Sequence, residues 1–281
     1  MTLLDVRGLT VAFGRRPPVV RGISFALEQG QRVGLIGESG CGKTVTSLAV
    51  MGLLAENARI SGSIACKGEE LVGASDRQLS TFRGDEISMI FQEPMTALDP
   101  TMRAGRQVAE VLRLHAGAAA GAARERVLQM LAEVGFGDPA RIADSFPHQL
   151  SGGQRQRVVT AMALINNPDL VICDEPTTAL DVTMQARVLT VLDAVLGRAG
   201  AACLFISHDL AVVSQLCSDV LVMLNGRVVE GGTVVDIFER PQHPYSQGLV
   251  ATARIDLVPP GQRLPTVEDF YSGKQRDGGR P

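Results

Sequence analysis

Gly37-Glu38-Ser39-Gly40-Cys41-Gly42-Lys43-Thr44 fits the pattern G-x-x-x-x-G-K-[ST]. The run before it, residues 31–36, is mostly apolar and reads as a short buried strand. The run after it, residues 43–54, reads as a helix. A glycine-rich turn between a strand and a helix lets backbone N–H groups curl around an anion without Cβ clashes. The helix N-terminus adds its dipole and its unpaired donors. In such a setting Lys43 reaches the β- and γ-phosphates of a nucleotide, and the Thr44 hydroxyl is a ligand for Mg²⁺.

Two further stretches say how a nucleotide would be used. Leu170-Val171-Ile172-Cys173 is a buried-strand signal that ends in Asp174 and Glu175. In parallel sheets, function gathers at the C-terminal strand edge. Asp174 is placed to hold Mg²⁺ through its water shell. Glu175 is the candidate general base for the attacking water. Read alone, the stretch is equally an ordinary strand running into a polar loop. The other stretch, Leu150-Ser151-Gly152-Gly153-Gln154, precedes a helical pattern over 155–165. Ser151 is a good N-cap, and Gly152 and Gly153 leave the backbone open. This is a second helix start suited to an anion. A chain with its own phosphate loop needs no second anion site for the same nucleotide. The economical reading is that Ser151 to Gln154 serve ATP held by another subunit, so that two nucleotides lie between two subunits. A plain Ser-Gly linker is the simpler alternative.

Together these motifs resemble the ATP-binding cassette (ABC) ATPases over roughly residues 3 to 250. The resemblance implies an α/β fold: a P-loop NTPase (RecA-like) core, an antiparallel β subdomain and an inserted α-helical subdomain. It also implies roles for four more residues. Gln92, in Ile90-Phe91-Gln92-Glu93-Pro94, matches the glutamine that senses Mg²⁺ and water and contacts the membrane partner. Asp181, in Ala179-Leu180-Asp181, matches an aspartate that crosses the dimer interface, and it also suits a helix cap. His208, in Ile206-Ser207-His208-Asp209, matches the histidine that contacts the γ-phosphate. Phe13 matches the aromatic that stacks on adenine, where many members carry tyrosine; it keeps the π-face and loses only a hydroxyl. Phe13 also suits ordinary core at a strand end. The implied ligands are ATP and Mg²⁺, and the implied activity is ATP hydrolysis coupled to transport.

Composition narrows the function classes. The 281 residues carry a formal net charge of −3 and show no long basic stripe, which argues against a nucleic-acid partner. No run approaches a membrane span, and the first residues lack a signal-peptide pattern. The chain is therefore expected to be soluble and to stay in the cytosol, and the family resemblance implies a peripheral place on the cytoplasmic face of the plasma (inner) membrane. Five cysteines are scattered without C-x-x-C pairing, as in a reducing compartment. Cys41 in the phosphate loop suggests sensitivity to thiol reagents, or simply a small residue that fits.

Residues 1–240 are expected to form the nucleotide-binding domain, with helical spacing over 105–114 and 122–134 marking a helical subdomain at about 93–157. Strand signals fall at 5–13, 20–27, 32–36, 62–67 and 86–91, and later at 170–173, 202–206, 220–224 and 227–230, with a helix over 184–196 between the later ones. Residues 241–281, rich in Pro, Gly and charge, are expected to be a largely extended C-terminal extension. Within the family, Gln92 to Pro100 and His243-Pro244-Tyr245-Ser246 resemble the ATPases of bacterial dipeptide, oligopeptide and nickel importers. There the extension often carries a cysteine cluster for an iron–sulfur centre. Cys217 is the last cysteine here, so this tail cannot supply one. The resemblance implies a second ATPase subunit, identical or paralogous, two transmembrane permeases and an extracytoplasmic substrate-binding protein. Peptide import is the expected task. Nickel import is one alternative, and a soluble ABC ATPase acting on DNA or the ribosome is another; the single cassette without heptads or metal-type cysteine spacing counts against the latter.

Overall fold

The computed structural model describes residues 2–91, 97–116, 120–178, 181–254 and 266–271. Two sheets organise it. The first is antiparallel, built from β1 (Thr2–Phe13), β2 (Val20–Glu28), β4 (Ala58–Cys66) and β5 (Glu69–Glu70) in the order β2-β1-β4-β5. The second has six strands. Parallel β3 (Arg32–Ile36), β6 (Ile87–Ile90), β7 (Leu170–Asp174), β8 (Ala202–Ser207) and β9 (Asp219–Leu224) are closed at one edge by antiparallel β10 (Arg227–Thr233), in the order β10-β9-β3-β8-β7-β6.

The parallel strands are mostly apolar because both faces are covered, and their charged residues sit at strand ends, as Arg32, Asp174 and Asp219 do. In β7, Val171 and Cys173 face one core while Leu170 and Ile172 face the other. In β8, Cys203 and Phe205 go with the first pair, and Leu204 and Ile206 with the second. One core holds the helical subdomain and the later helices; the other holds the antiparallel sheet and α1 (Lys43–Val50). Each fully buried Leu, Ile or Val contributes roughly 1.5–3 kcal/mol. The parallel sheet between the two cores is therefore the stable frame from which its edge loops project.

Between β5 and β6 lies α2 (Asp76–Phe82), which the sequence reading missed. Its signal was present: Ser75 and Gln78 form a reciprocal capping box. Helix α1 ends at Val50 rather than at 54, because Gly52 turns the chain into the left-handed region at φ 62°. The helical subdomain comprises α3 (Ala104–Ala116), α4 (Ala120–Glu133) and the unforeseen α5 (Pro139–Asp144), which Asp138 caps. A 3₁₀ turn at Pro147–Gln149 leads into α6 (Gly152–Leu164). Then come α7 (Val182–Ala199), α8 (Leu210–Val213) and α9 (Val234–Glu239). Within residues 241–281, expected to be largely extended, α10 (Pro244–Ala253) and α11 (Val267–Phe270) are helical. No helix among the described residues is long and apolar enough to cross a membrane.

Candidate functional site

Strand register assembles the site. In the parallel pairs Ile36 lies beside Ser207, and Asp174 lies beside Ile206. The C-terminal ends of β3, β7 and β8 therefore finish on one edge. The segments that follow them carry residues 37–40 and 42–44, Glu175 and His208 into the same cavity, of about 700 Å³.

The phosphate loop is shaped by what surrounds it. A Cβ on Gly37 would lie 2.2 Å from the Met223 carbonyl oxygen, so only glycine lets the loop pass β9. Gly42 sits at φ 109° against Val19 and Met223. Lys43 is buried at the start of α1. Its Nζ donates to the Gly37 carbonyl at 2.6 Å and the Glu38 carbonyl at 2.9 Å. The ammonium is thus held inside its own loop by acceptors that a phosphate oxygen can outcompete. Ser39 and Gly40 line the cavity mouth. Cys41 is buried, and burial raises its thiol above the ordinary range, against the pull of Lys43. That environment fits a packing role and leaves little thiolate to react.

Asp174 is 3% exposed, and its Oδ1 accepts from the Thr44 hydroxyl at 3.3 Å. Burial raises the Asp174 carboxyl, as does neighbouring Glu175, while Thr44 and Lys43 pull it down. Thr44 and Asp174 offer hard oxygen donors side by side, the donor set that suits Mg²⁺. Glu175 takes a left-handed backbone at φ 47°, a strained choice for a residue with a Cβ, costing roughly 1–2 kcal/mol. Its N–H donates to the Ile206 carbonyl, which fixes it to β8. The Thr178 hydroxyl donates to its Oε2 at 2.8 Å, and His208 Nδ1 lies 3.4 Å from the same oxygen.

The serine–glycine turn lies elsewhere. Ser151 Oγ accepts from the Gln154 N–H, and Gln154 Oε1 accepts from the Ser151 N–H at 2.9 Å, so the two cap α6 reciprocally. Ser151 and Gly152 are exposed, whereas Gly153 is buried against Met184. None of the four lines the cavity of the phosphate loop. Asp181 caps α7 by accepting from the Met184 N–H. Phe13 ends β1 half-buried against the core of the antiparallel sheet and is not part of the cavity wall. Gln92 lies outside the described residues.

Sequence reasoning missed Thr178, Val19 and the three cavity-lining residues Leu249, Thr252 and Val267. Thr178 was findable, because a hydroxyl three residues after Glu175 fits the tight turn there. The C-terminal residues reach the cavity through tertiary packing alone.

The pattern of the ABC transporter family matches residues 20–178. The chain is 45% identical over 253 residues to the probable peptide ABC transporter ATP-binding protein y4tR of Sinorhizobium fredii, covering 88% of this chain and 76% of that one. It is 47% identical over 267 residues to the oligopeptide transport ATP-binding protein OppD of Mycobacterium bovis, covering 93% of this chain but only 44% of that longer protein. The dimeric post-hydrolysis structure of the ATP-binding cassette MJ0796, bound to ADP and Pi, superposes with a TM-score of 0.73 at 25% identity, over 83% of this chain and 99% of that one. With the glycine-rich turn, Glu175 and His208 lining one cavity, Asp174 bonded to Thr44 behind it, and these relatives, the chain belongs to the ABC transporter family as one of its ATP-hydrolysing cassettes.

Proposed function

We propose that this cassette powers a bacterial peptide importer, working as half of a nucleotide sandwich on the cytoplasmic side of the membrane. The observation that carries the ATPase half is the shared edge of β3, β7 and β8, which places Lys43, Glu175 and His208 around one cavity. The peptide reading is supported by relatives named for peptide and oligopeptide transport.

In the catalytic cycle, the loop amides that follow Glu38, up to Thr44, cradle the phosphates of ATP. Lys43 exchanges its two loop carbonyls for phosphate oxygens. Thr44 and Asp174, with Gln92, would hold Mg²⁺, which would supply positive charge to the phosphates. Glu175, oriented by Thr178, accepts a proton from the attacking water. His208 donates toward the γ-phosphate. Phosphoryl transfer is loose and charge-dominated, so positioning and electrostatics do most of the work. Phe13 stacks on adenine. The exposed Ser151 turn and Asp181 of a second cassette, identical or paralogous, close the site from across the interface.

Coupling to two permeases runs through a groove between the core and the helical subdomain. It has a volume of about 590 Å³, with Leu53, Phe91 and Leu114 exposed along it. Apolar side chains exposed together mark a docking surface. An extracytoplasmic binding protein delivers the cargo. The test is uptake of a labelled oligopeptide in cells carrying Glu175→Gln in place of the native chain. Loss of peptide uptake with normal nickel uptake is expected. Loss of nickel uptake alone overturns the peptide reading in favour of its alternative.

A further inference from the structure

The buried phenol of Tyr245 touches the phosphate loop. The Glu38 N–H donates to Tyr245 Oη at 2.8 Å, although 207 residues separate them. Tyr245 is fully buried, and burial holds its hydroxyl well above the ordinary range, so it stays protonated. The backbone of Glu38 is therefore gripped on both sides of its Cα. Its N–H is held by Tyr245 and its carbonyl by Lys43. Once Lys43 turns to a phosphate, the Tyr245 hydroxyl and the turn bond from the Cys41 N–H to the Glu38 carbonyl hold that shoulder of the loop, and Tyr245 is the hold that comes from outside it.

Tyr245 is itself locked in place. Glu230 on β10 accepts the backbone N–H groups of Gln242 at 2.7 Å and His243 at 2.9 Å, pinning the start of α10 to the sheet. His243 Nδ1 caps the helix by accepting from the Tyr245 N–H. Tyr271 meets Tyr245 edge-on, with ring centroids 5.9 Å apart. Gly248 lets α11 cross closely: a Cβ there would lie 2.9 Å from the Val267 Cα. The same docking brings Leu249, Thr252 and Val267 to the wall of the nucleotide cavity.

We propose that Tyr245 is a positioning residue of the nucleotide site, through which the C-terminal extension sets how tightly the phosphate loop holds the β- and γ-phosphates. The inference rests on residues 37–44 being that loop. A hydroxyl that fixes one loop amide lowers the ordering cost of binding and leaves the following amides aimed at the anion. Its effect must therefore scale with the phosphates present, and not with the base.

The test uses the full-length chain and competition against a fluorescent ATP analogue, comparing Mg-ATP with AMP. Tyr245→Phe deletes one hydrogen bond and keeps the ring. It is expected to weaken ATP binding about three- to tenfold, the worth of a typical hydrogen bond, while leaving AMP unchanged. In the assembled transporter KM for ATP should rise by a similar factor with kcat held within about twofold. ATP affinity equal to the wild type, or equal losses for ATP and AMP, overturns the proposal. Should the phenylalanine variant melt at assay temperature, Gly248→Val decides: it pries α11 and Tyr271 off the Tyr245 ring, so ATP weakened more than AMP supports the proposal and equal losses overturn it. Lys43→Ala separates the two levels of the argument. If it retains full ATP affinity, the assignment of the loop itself fails; if it loses ATP while Tyr245→Phe does not, only the role of Tyr245 falls.

Discussion

His208 Nδ1 stands 3.4 Å from Glu175 Oε2, joining the residue after β8 to the residue after β7 across the mouth of the cavity. The same oxygen accepts from Thr178, so the carboxylate is aimed from two sides. Glu175→Gln keeps this shape and removes the base. We expect ATP binding to be retained and hydrolysis to fall by about 10²–10⁴-fold. Gel filtration with saturating ATP should show a dimer; a monomer under those conditions counts against the sandwich.

Gly37 tests the loop's shape. In Gly37→Ala the new Cβ meets a backbone carbonyl, that of Met223, so no side-chain rotation relieves the clash. We expect a stability loss of about 1–3 kcal/mol in urea unfolding and weakened ATP binding. A variant as stable as the wild type would mean that the loop does not run against β9.

Glu230 links the extension to pH. Burial pushes its carboxyl up, but the hydrogen bonds it accepts, those from the Gln242 and His243 N–H groups among them, more than offset this and leave it below the ordinary 4.5. A depressed value in the folded state means stabilisation that is present above pH 4.5 and lost as pH falls through the folded value. Glu230→Gln should therefore lower Tm at pH 7 and show a shallower decline on acidification than the wild type. Parallel Tm–pH curves would refute the link.

Leu114 is 77% exposed in the groove beside the helical subdomain. Leu114→Asp should abolish transport and co-purification with the permeases while ATP affinity stays within about twofold. Equal loss of ATP affinity would remove the groove from the coupling path.

Local rules made much of this legible in the chain. The glycine pattern, the apolar strand ending in Asp174 and the Ser151 cap are each set by neighbours a few residues apart. The observed elements start and stop close to where those signals lie. The errors were local as well: Gly52 cuts α1 short, and α2 and α5 were overlooked although Ser75 and Asp138 cap them. What could not be read is long-range. Nothing near Tyr245 in sequence says that its hydroxyl will meet Glu38, and nothing near Phe13 says whether it faces a cavity or a core. Such facts depend on how finished elements dock.

Met184 lies one turn into α7, whose cap is Asp181, and its methyl rests on the bare backbone of Gly153 in the first turn of α6. The two surface turns are thereby mechanically ganged. In the nucleotide sandwich proposed above, the two helix starts would meet a second cassette as neighbours braced by that one methyl.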